Sequence, residues 1–515
     1  MLLFHYNQST PDEQFDNKLN LMFWVVFYPF LAVFLYQLFF KPYLMIRFYK
    51  KQGAEGKYLP GVNFSLARSR DAHQHGDYMH YFKSITKTNP KTRFFASNLG
   101  SQCVLYLASS DLVKEFQKAQ TTHYAKAGHK TDLVRLFLGD SVLIGEGSRW
   151  KTQKKLLLNS FHNEKLRDVT PIISKVVQNM YEKLSKKNLL ENVNLLQEND
   201  KITSETFGVF FFGERFLKHK FEGESLDTGL SLLLNLAFSE LNGSWSAFVR
   251  QFFAQPGFTP RHKHILKRIQ AFRQICKTMI ADKKKFFEDN QKEETVLQML
   301  VDQQRLSPEY CFTDEEIIDL FLNLFFAGTD HVANLVTMAL YYLGKNPEVH
   351  KKLSSEIHSV LGESEEISSQ MTQQMDYTLA VLKETLMKAN PDAFSIPRIA
   401  TNDHKLGNIT VKKGTIVIFS PLFQQNFNDT NFSPERWQGS KSPLWKEDNS
   451  GFNAFSAGAH SCLGQNFALL QAKIMLGLFV RKFKMELPSD FDLKMTYKTI
   501  YKPLHPIKMT LDIQQ

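Results

Sequence analysis

Phe455-Ser456-Ala457-Gly458-Ala459-His460-Ser461-Cys462-Leu463-Gly464 decides how the rest of this 515-residue chain is read. One thiol sits in a loop bounded by two glycines. An aromatic lies seven residues before it, a base two residues before it, and an apolar segment of helical pattern follows. A thiolate that serves as a metal ligand needs such a setting. It must stay deprotonated, away from bulk water, and close to backbone N–H groups that temper its charge. Gly458 and Gly464 allow the tight turn that aims those N–H groups at the sulfur. Phe455 is placed to shield the thiolate, and His460 to reach an acidic group on a bound cofactor. Cys103, Cys276 and Cys311 lack this company and read as isolated structural thiols. Four scattered cysteines make no disulfide framework, which suits a main domain facing a reducing compartment.

The stretch fits F-x-x-G-x-[RH]-x-C-x-G at every specified position and resembles the cysteine-ligand loop of the cytochrome P-450 family. The resemblance implies that Cys462 is the axial ligand of haem iron, framed by Phe455, Gly458 and Gly464, with His460 at a haem propionate. Other segments occur in the family's order. Trp150 and Lys154 stand as W-x-x-x-K where the family has W-x-x-x-R, which implies an indole N–H and a cation on a propionate. A lysine there is a point charge rather than a planar fork. Ile396-Pro397-Arg398 resembles the strand that sets an arginine against the same carboxylates.

Thr313-Asp314-Glu315-Glu316 is a capping box opening a long apolar helix that runs to Gly344, about 45 Å by helical rise. Inside it, Phe326-Ala327-Gly328-Thr329-Asp330-His331 violates local propensity twice. A glycine within a helix costs about 1 kcal/mol against alanine, and a buried acid two residues on costs more unless paired or hydrated. Such violations mark sites. The segment resembles the family's oxygen-binding stretch, A-G-x-[DE]-T-[TS]. Ala327 and Gly328 are then expected to give dioxygen room, and Asp330 to relay protons. His331 stands where the family usually has threonine. Imidazole also relays protons near neutral pH, but it is bulkier and able to ligate iron.

Val381-Leu382-Lys383-Glu384-Thr385-Leu386-Met387-Lys388 resembles the family's E-x-x-R helix, with Met387 in place of the arginine. Phe432-Ser433-Pro434-Glu435-Arg436-Trp437 resembles its P-E-R-F segment. Glu384 and Arg436 are therefore expected to form the structural core pair. Lys388, four residues after Glu384, lies on nearly the same helical face.

Leu21 to Phe40 carries no charged residue, and twenty helical residues span a bilayer's hydrocarbon core of about 30 Å. Acidic residues precede it, and Lys41, Arg47, Lys50, Lys51 and Lys57 follow. The expected organisation is a lumenal N-terminus over 1–18 and a transmembrane signal-anchor helix over 19–41. A basic linker with a Pro60-Gly61 hinge spans 42–61, and one catalytic domain spans 62–515. The flanking charges imply a cytosolic catalytic domain, and the resemblance, to the family's microsomal membrane-anchored type, implies a single-pass protein of the endoplasmic reticulum membrane. The net charge of +11 is spread over the chain rather than clustered into the stripe a nucleic acid wants. It suits an anionic membrane face or an acidic electron-transfer partner. Residues 205–262, rich in phenylalanine, resemble by position the segment that roofs the family's substrate pocket.

The fold class expected is mainly α: the cytochrome P-450 prism of about a dozen helices with small β-sheets, plus the N-terminal membrane helix. The resemblance implies haem b as cofactor and NADPH acting through a membrane-bound flavoprotein reductase, with cytochrome b5 a further electron donor. The reaction implied is insertion of one atom of O2 into a lipophilic substrate. Two alternatives stand beside it. Without the usual threonine the enzyme rearranges or dehydrates a peroxide and uses no O2. With Met387 the chain is a degenerate haem-binding protein without turnover.

Overall fold

Thr313 starts the helix around which the others are arranged. In the computed structural model its hydroxyl accepts the Glu316 N–H at 3.2 Å and Glu316 returns a carboxylate to the Thr313 N–H at 2.8 Å, the capping box expected from the sequence. The structure describes residues 24–56, 74–99, 101–126, 135, 138–158, 160–161, 163–186, 190–242, 260–285, 295–306, 311–364, 366–424, 431–439, 452–497 and 500–514.

The helices that build the site are α1 (Trp24–Lys50), α2 (Ser110–His123), α3 (Gly147–Leu158), α4 (Asn163–Ser185), α5 (Leu195–Phe212), α6 (Asp314–Lys345), α7 (Asp376–Ala389) and α8 (Gln465–Lys482). The long helix α6 is apolar nearly all round because it is surrounded, packing against α5, α7 and α8. Helix α4 lies across α5 and α8. A five-stranded sheet flanks the helices: β1 (Phe94–Leu99), β2 (Gln102–Leu107), β3 (Tyr124–Lys126), β4 (Arg398–Ala400) and β5 (Ile416–Phe419), in the order β1-β2-β5-β4-β3. The β2–β5 pair is parallel and the others antiparallel.

One segment takes a form its expectation did not include. The stretch beyond residue 41, expected as a linker, is helical: α1 is one continuous helix from Trp24 to Lys50 with a π-helical turn over Tyr36–Phe40. The reason is an apolar pair at i and i+3. Ile46 and Tyr49 are buried against β1 and β2, and the Tyr49 hydroxyl meets the Thr415 hydroxyl at 2.7 Å. Glu55 then bridges to Phe95 on the sheet. The 18-residue apolar window of α1 buries nothing inside the protein, so the helix is a candidate membrane anchor. Pro60 and Gly61 lie outside the described residues.

The beginning of the 205–262 stretch lies in α5. Phe210, Phe211 and Phe212 are core residues of α5, stacked among Phe207, Phe321 and Phe467. Phe252, Phe253 and Phe258 lie outside the described residues.

Candidate haem-thiolate site

The cysteine loop turns twice through left-handed backbone. Ser456 has φ +59° and Gly458 φ +72°, and a Cβ on Gly458 would stand 3.3 Å from the Gln117 carbonyl of α2. Glycine is needed there for conformation and for clearance. The loop closes by Cys462 N–H donating to the Phe455 carbonyl at 2.9 Å and Ser461 N–H to the Gly458 carbonyl at 3.0 Å. Gly464 N–H reaches the Cys462 thiol; Gly464 itself has an ordinary φ of −91° and open space around its Cα. Its contribution is an N–H at the start of α8, where backbone donors are unsatisfied.

Cys462 has accessible surface and yet is enclosed by protein on nearly every side. Burial pushes its thiol up to about 11; the Gly464 N–H and Lys154 oppose this, and the charge of Asp392 adds to it. Lys154 on α3 donates to the Ala459 carbonyl at 2.7 Å and the Ser461 carbonyl at 2.9 Å, stapling the loop to the helix. The cation expected at a propionate is thus also the clamp of the ligand loop. Trp150 stacks on His460 at 4.3 Å between centroids, and its indole N–H is committed to the Val142 carbonyl at 3.1 Å, not directed at a cofactor carboxylate.

Arg398 and Lys126 face each other across the β3–β4 pair. Both are buried, at 3% and 6% exposure. Two like charges directly opposite in a ladder repel. Lys126 donates from Nζ to the Gly145 carbonyl at 2.6 Å, and its backbone N–H donates to Glu146. Arg398 reaches the Ile396 and Pro397 carbonyls only at 3.4 and 3.5 Å, and its buried Nε has no partner among the described residues. Burial, then Arg398, bring Lys126 down to about 7, with Glu146 and Asp140 opposing. Burial lowers Arg398 to about 10 against Glu146. His460 falls to about 3 through burial, then Arg398, Lys126 and Lys154. These groups crowd one place with too little negative charge among them. A dicarboxylate cofactor would relieve all of them.

On α6, Leu324, Phe326, Ala327, Gly328, Asp330 and His331 keep some accessible surface, while Phe325, Thr329 and Val332 are buried. Leu324, Ala327, Gly328 and His331, at i, i+3, i+4 and i+7, share one side of the helix as a stripe. The direction of Gly328 differs from the expectation: a Cβ there would point at the Phe207 ring of α5, 3.2–3.3 Å away. Its smallness lets α5 approach α6, and Ala327 is left as the small side chain of the stripe. Thr329 is buried, its hydroxyl donating to the Phe325 carbonyl at 2.9 Å. His331 Nε2 lies 3.2 Å from Asp392 Oδ1, while its buried Nδ1 has no partner among the described residues. Burial disfavours the imidazolium, but the charge and hydrogen bond of Asp392, with Asp330 beyond, outweigh it and hold the pKa above the usual histidine value. The charge of Asp392 also acts on Cys462, so the cysteine loop and the His331 side of α6 lie near one another. Asp330 acts on His331 and on Asp200 of α5; burial first, then Asp330, keeps Asp200 well above the carboxylate range, with Lys502 opposing.

Beneath the loop, Glu384 is fully buried and forms the expected pair with Arg436, Nε to Oε2 3.1 Å.

The cytochrome P450 family model matches residues 70–511. The chain belongs to the cytochrome P450 family. A probable cytochrome P450 4d21 of Drosophila melanogaster is 25% identical over 450 residues, 82% of this chain and 84% of the relative. Cytochrome P450 734A1 of Arabidopsis thaliana is 25% identical over 79% of this chain and 78% of the relative. Cytochrome P450 2B4 of Oryctolagus cuniculus is 24% identical over 78% and 82%. Cytochromes P450 are haem-thiolate proteins and generally monooxygenases. The residues here fit that cofactor: a single enclosed thiol met by a backbone N–H, beside a buried cationic cluster with an orphaned guanidinium nitrogen.

Lys126, Asp392 and Asp200 were not found from the sequence. Lys126 acts through strand register with Arg398, and Asp392 and Asp200 through tertiary contacts with α6. No local spacing announces any of them.

Proposed function

We propose that this cytochrome P450 is a haem b monooxygenase. It is anchored by α1 in the endoplasmic reticulum membrane, N-terminus lumenal and catalytic domain cytosolic. It inserts one atom of O2 into a lipophilic substrate with NADPH-derived electrons from a flavoprotein reductase, cytochrome b5 serving as a further donor. The observation that carries the reading is the Cys462 thiol, met by the Gly464 N–H and near Asp392, which bonds His331 of α6. The basic residues after α1's apolar stretch support the orientation.

When bound, the haem supplies iron chemistry in which a thiolate ligand donates electron density and favours O–O cleavage. The chain does the rest. Arg398, Lys126 and His460 hold the propionates. Gly464 N–H tempers the sulfur's charge, and Lys154 fixes the loop that carries it. Phe455, half-buried, is placed to shield the thiolate. Ala327 and the Gly328 backbone leave width along the stripe. His331 is the proton carrier there: Asp392 fixes Nε2 and leaves Nδ1 for exchange, while the Thr329 hydroxyl is turned into its own helix. Asp330, with Asp200 and Lys502 behind it, connects His331 to the far side of α6.

A reduced carbon monoxide difference spectrum of the purified protein tests the ligand. The thiolate band is expected in the wild type and absent from Cys462→Ser; an unchanged spectrum in the variant would remove Cys462 from the iron. A second reading rests on the bound His331: a peroxide-rearranging enzyme that needs no proton delivery. Turnover of a lipid hydroperoxide without reductase or NADPH would favour it, and NADPH-dependent product formation would exclude it.

A further inference from the structure

Glu384 poses a problem that the family's usual solution does not solve. Its carboxylate is completely buried on α7, and Met387 occupies the position three residues on where the E-x-x-R pattern has a guanidinium. A buried carboxylate without sufficient donors is strongly destabilising.

The donors come from the Phe432–Trp437 segment. Ser433 N–H reaches Oε1 at 3.1 Å. Arg436 Nε and Trp437 Nε1 both reach Oε2, at 3.1 and 2.7 Å. Lys388 Nζ stands 3.9 Å from Oε1. The shortest of these contacts is the indole's. Trp437 is 4% exposed, and its ring forms a closed apolar cluster with Ala380, Met387 and Phe452. The thioether of Met387 therefore packs in the indole's own cluster.

We propose that Met387 and Trp437 together replace the arginine and phenylalanine of the E-x-x-R and P-E-R-F pattern, the indole N–H standing in for the missing guanidinium and making Trp437 the positioning residue for the cysteine loop. The mechanical link is short. Trp437 packs edge-on to Phe452 at 5.0 Å, Phe452 lies 6.5 Å from Phe455, and the Phe455 carbonyl receives the Cys462 N–H. Displacing the indole shifts the frame from which the ligand is hung. Even with every donor present, burial keeps the carboxyl above its usual value, so the arrangement has no surplus donor to lose.

The inference rests on the haem-thiolate reading only for its spectroscopic readout. Trp437→Phe keeps an aromatic ring, deletes the N–H and removes the fused five-membered ring from a buried site; the Met387→Arg cycle below separates the lost hydrogen bond from the lost volume. A buried hydrogen bond to a charged acceptor is worth enough that its loss should speed conversion of the thiolate carbon monoxide band to the thiol-ligated form roughly tenfold or more. It should also lower the melting temperature of the full-length protein by several degrees, on the order expected for that loss. Met387→Arg in the Trp437→Phe background recreates the family's pair and should restore both. In the Met387→Arg background, Trp437→Phe should be nearly neutral. An unaffected Trp437→Phe protein would overturn the proposal. So would a double variant that remains as impaired as Trp437→Phe, or fails to fold with it. A wild type without haem pigment would count against the haem reading instead, and the melting cycle would still decide this one.

Discussion

Replacing Lys126 with methionine should stabilise the haem-free protein while weakening its grip on haem. The Lys126 ammonium is buried beside Arg398, with Lys154 and His460 nearby and Glu146 and Asp140 as the opposing acids. Its pKa falls from 10.5 to about 7. At 1.36 kcal/mol per unit, holding the charge in the fold at neutral pH costs on the order of 4 kcal/mol. Methionine removes that cost but leaves the Gly145 carbonyl without its 2.6 Å donor, a loss of about 1–3 kcal/mol. A net gain of roughly 1–3 kcal/mol is expected at pH 7. The sign with pH follows. Between pH 7 and 10.5 the unfolded chain binds more protons than the folded one, so wild-type stability rises across this window. The variant should lose that slope, and the two curves should cross as pH climbs. Thermal melts of haem-free protein across the window measure this, and pigment transfer to an acceptor protein measures haem retention. A variant that melts lower at pH 7 and keeps the wild-type slope would refute the account of the cationic cluster.

Asp392→Asn should remove the charge that holds His331's pKa up, moving the inflection of reductant-to-product coupling toward lower pH and releasing more hydrogen peroxide; an unmoved inflection, followed by peroxide assay, would separate Asp392 from the relay. Asp200 has a raised carboxyl pKa, so its contribution to stability falls as pH rises from the ordinary carboxylate range through the folded value; Asp200→Asn should flatten that decline and raise the melting temperature at neutral pH, read by calorimetry. Gly139→Ala combines a φ of +78° with a methyl driven into the Asp319 carboxylate, which accepts Asp140 N–H at 2.9 Å and Arg273 at 2.6 Å; a loss of about 2–3 kcal/mol in denaturant unfolding is expected, and a neutral result would contradict the role of that turn.

What could be read in the sequence was whatever chemistry is local. The cysteine loop is legible because thiol, glycines and aromatic fall within ten residues, and the start of α6 because a capping box is a four-residue device. The Glu384–Arg436 pair is legible through two separate short patterns. Lys126 is not, since a strand of three residues reveals neither its partner nor its register. The direction of Gly328 is not legible either, because a glycine's pattern is the same whether it faces a cleft or the Phe207 ring. The helical form of the linker is not legible for a related reason: Ile46 and Tyr49 are an apolar pair whose partner sheet begins some forty residues later, so only the tertiary packing gives them a purpose.

That packing changes what attachment to a bilayer means for this molecule. Because α1 passes without a break from its exposed apolar stretch into the contacts of Tyr49 with Thr415 and Lys412, it is a mast rather than a tether. Tilt of the mast in the lipid becomes tilt of the whole enzyme. One residue inserted below Ile46 would lift the body about 1.5 Å and swing it about 100° around the axis. On the anchoring proposed above, the height and heading of the catalytic unit over the bilayer are therefore written into the length of one helix.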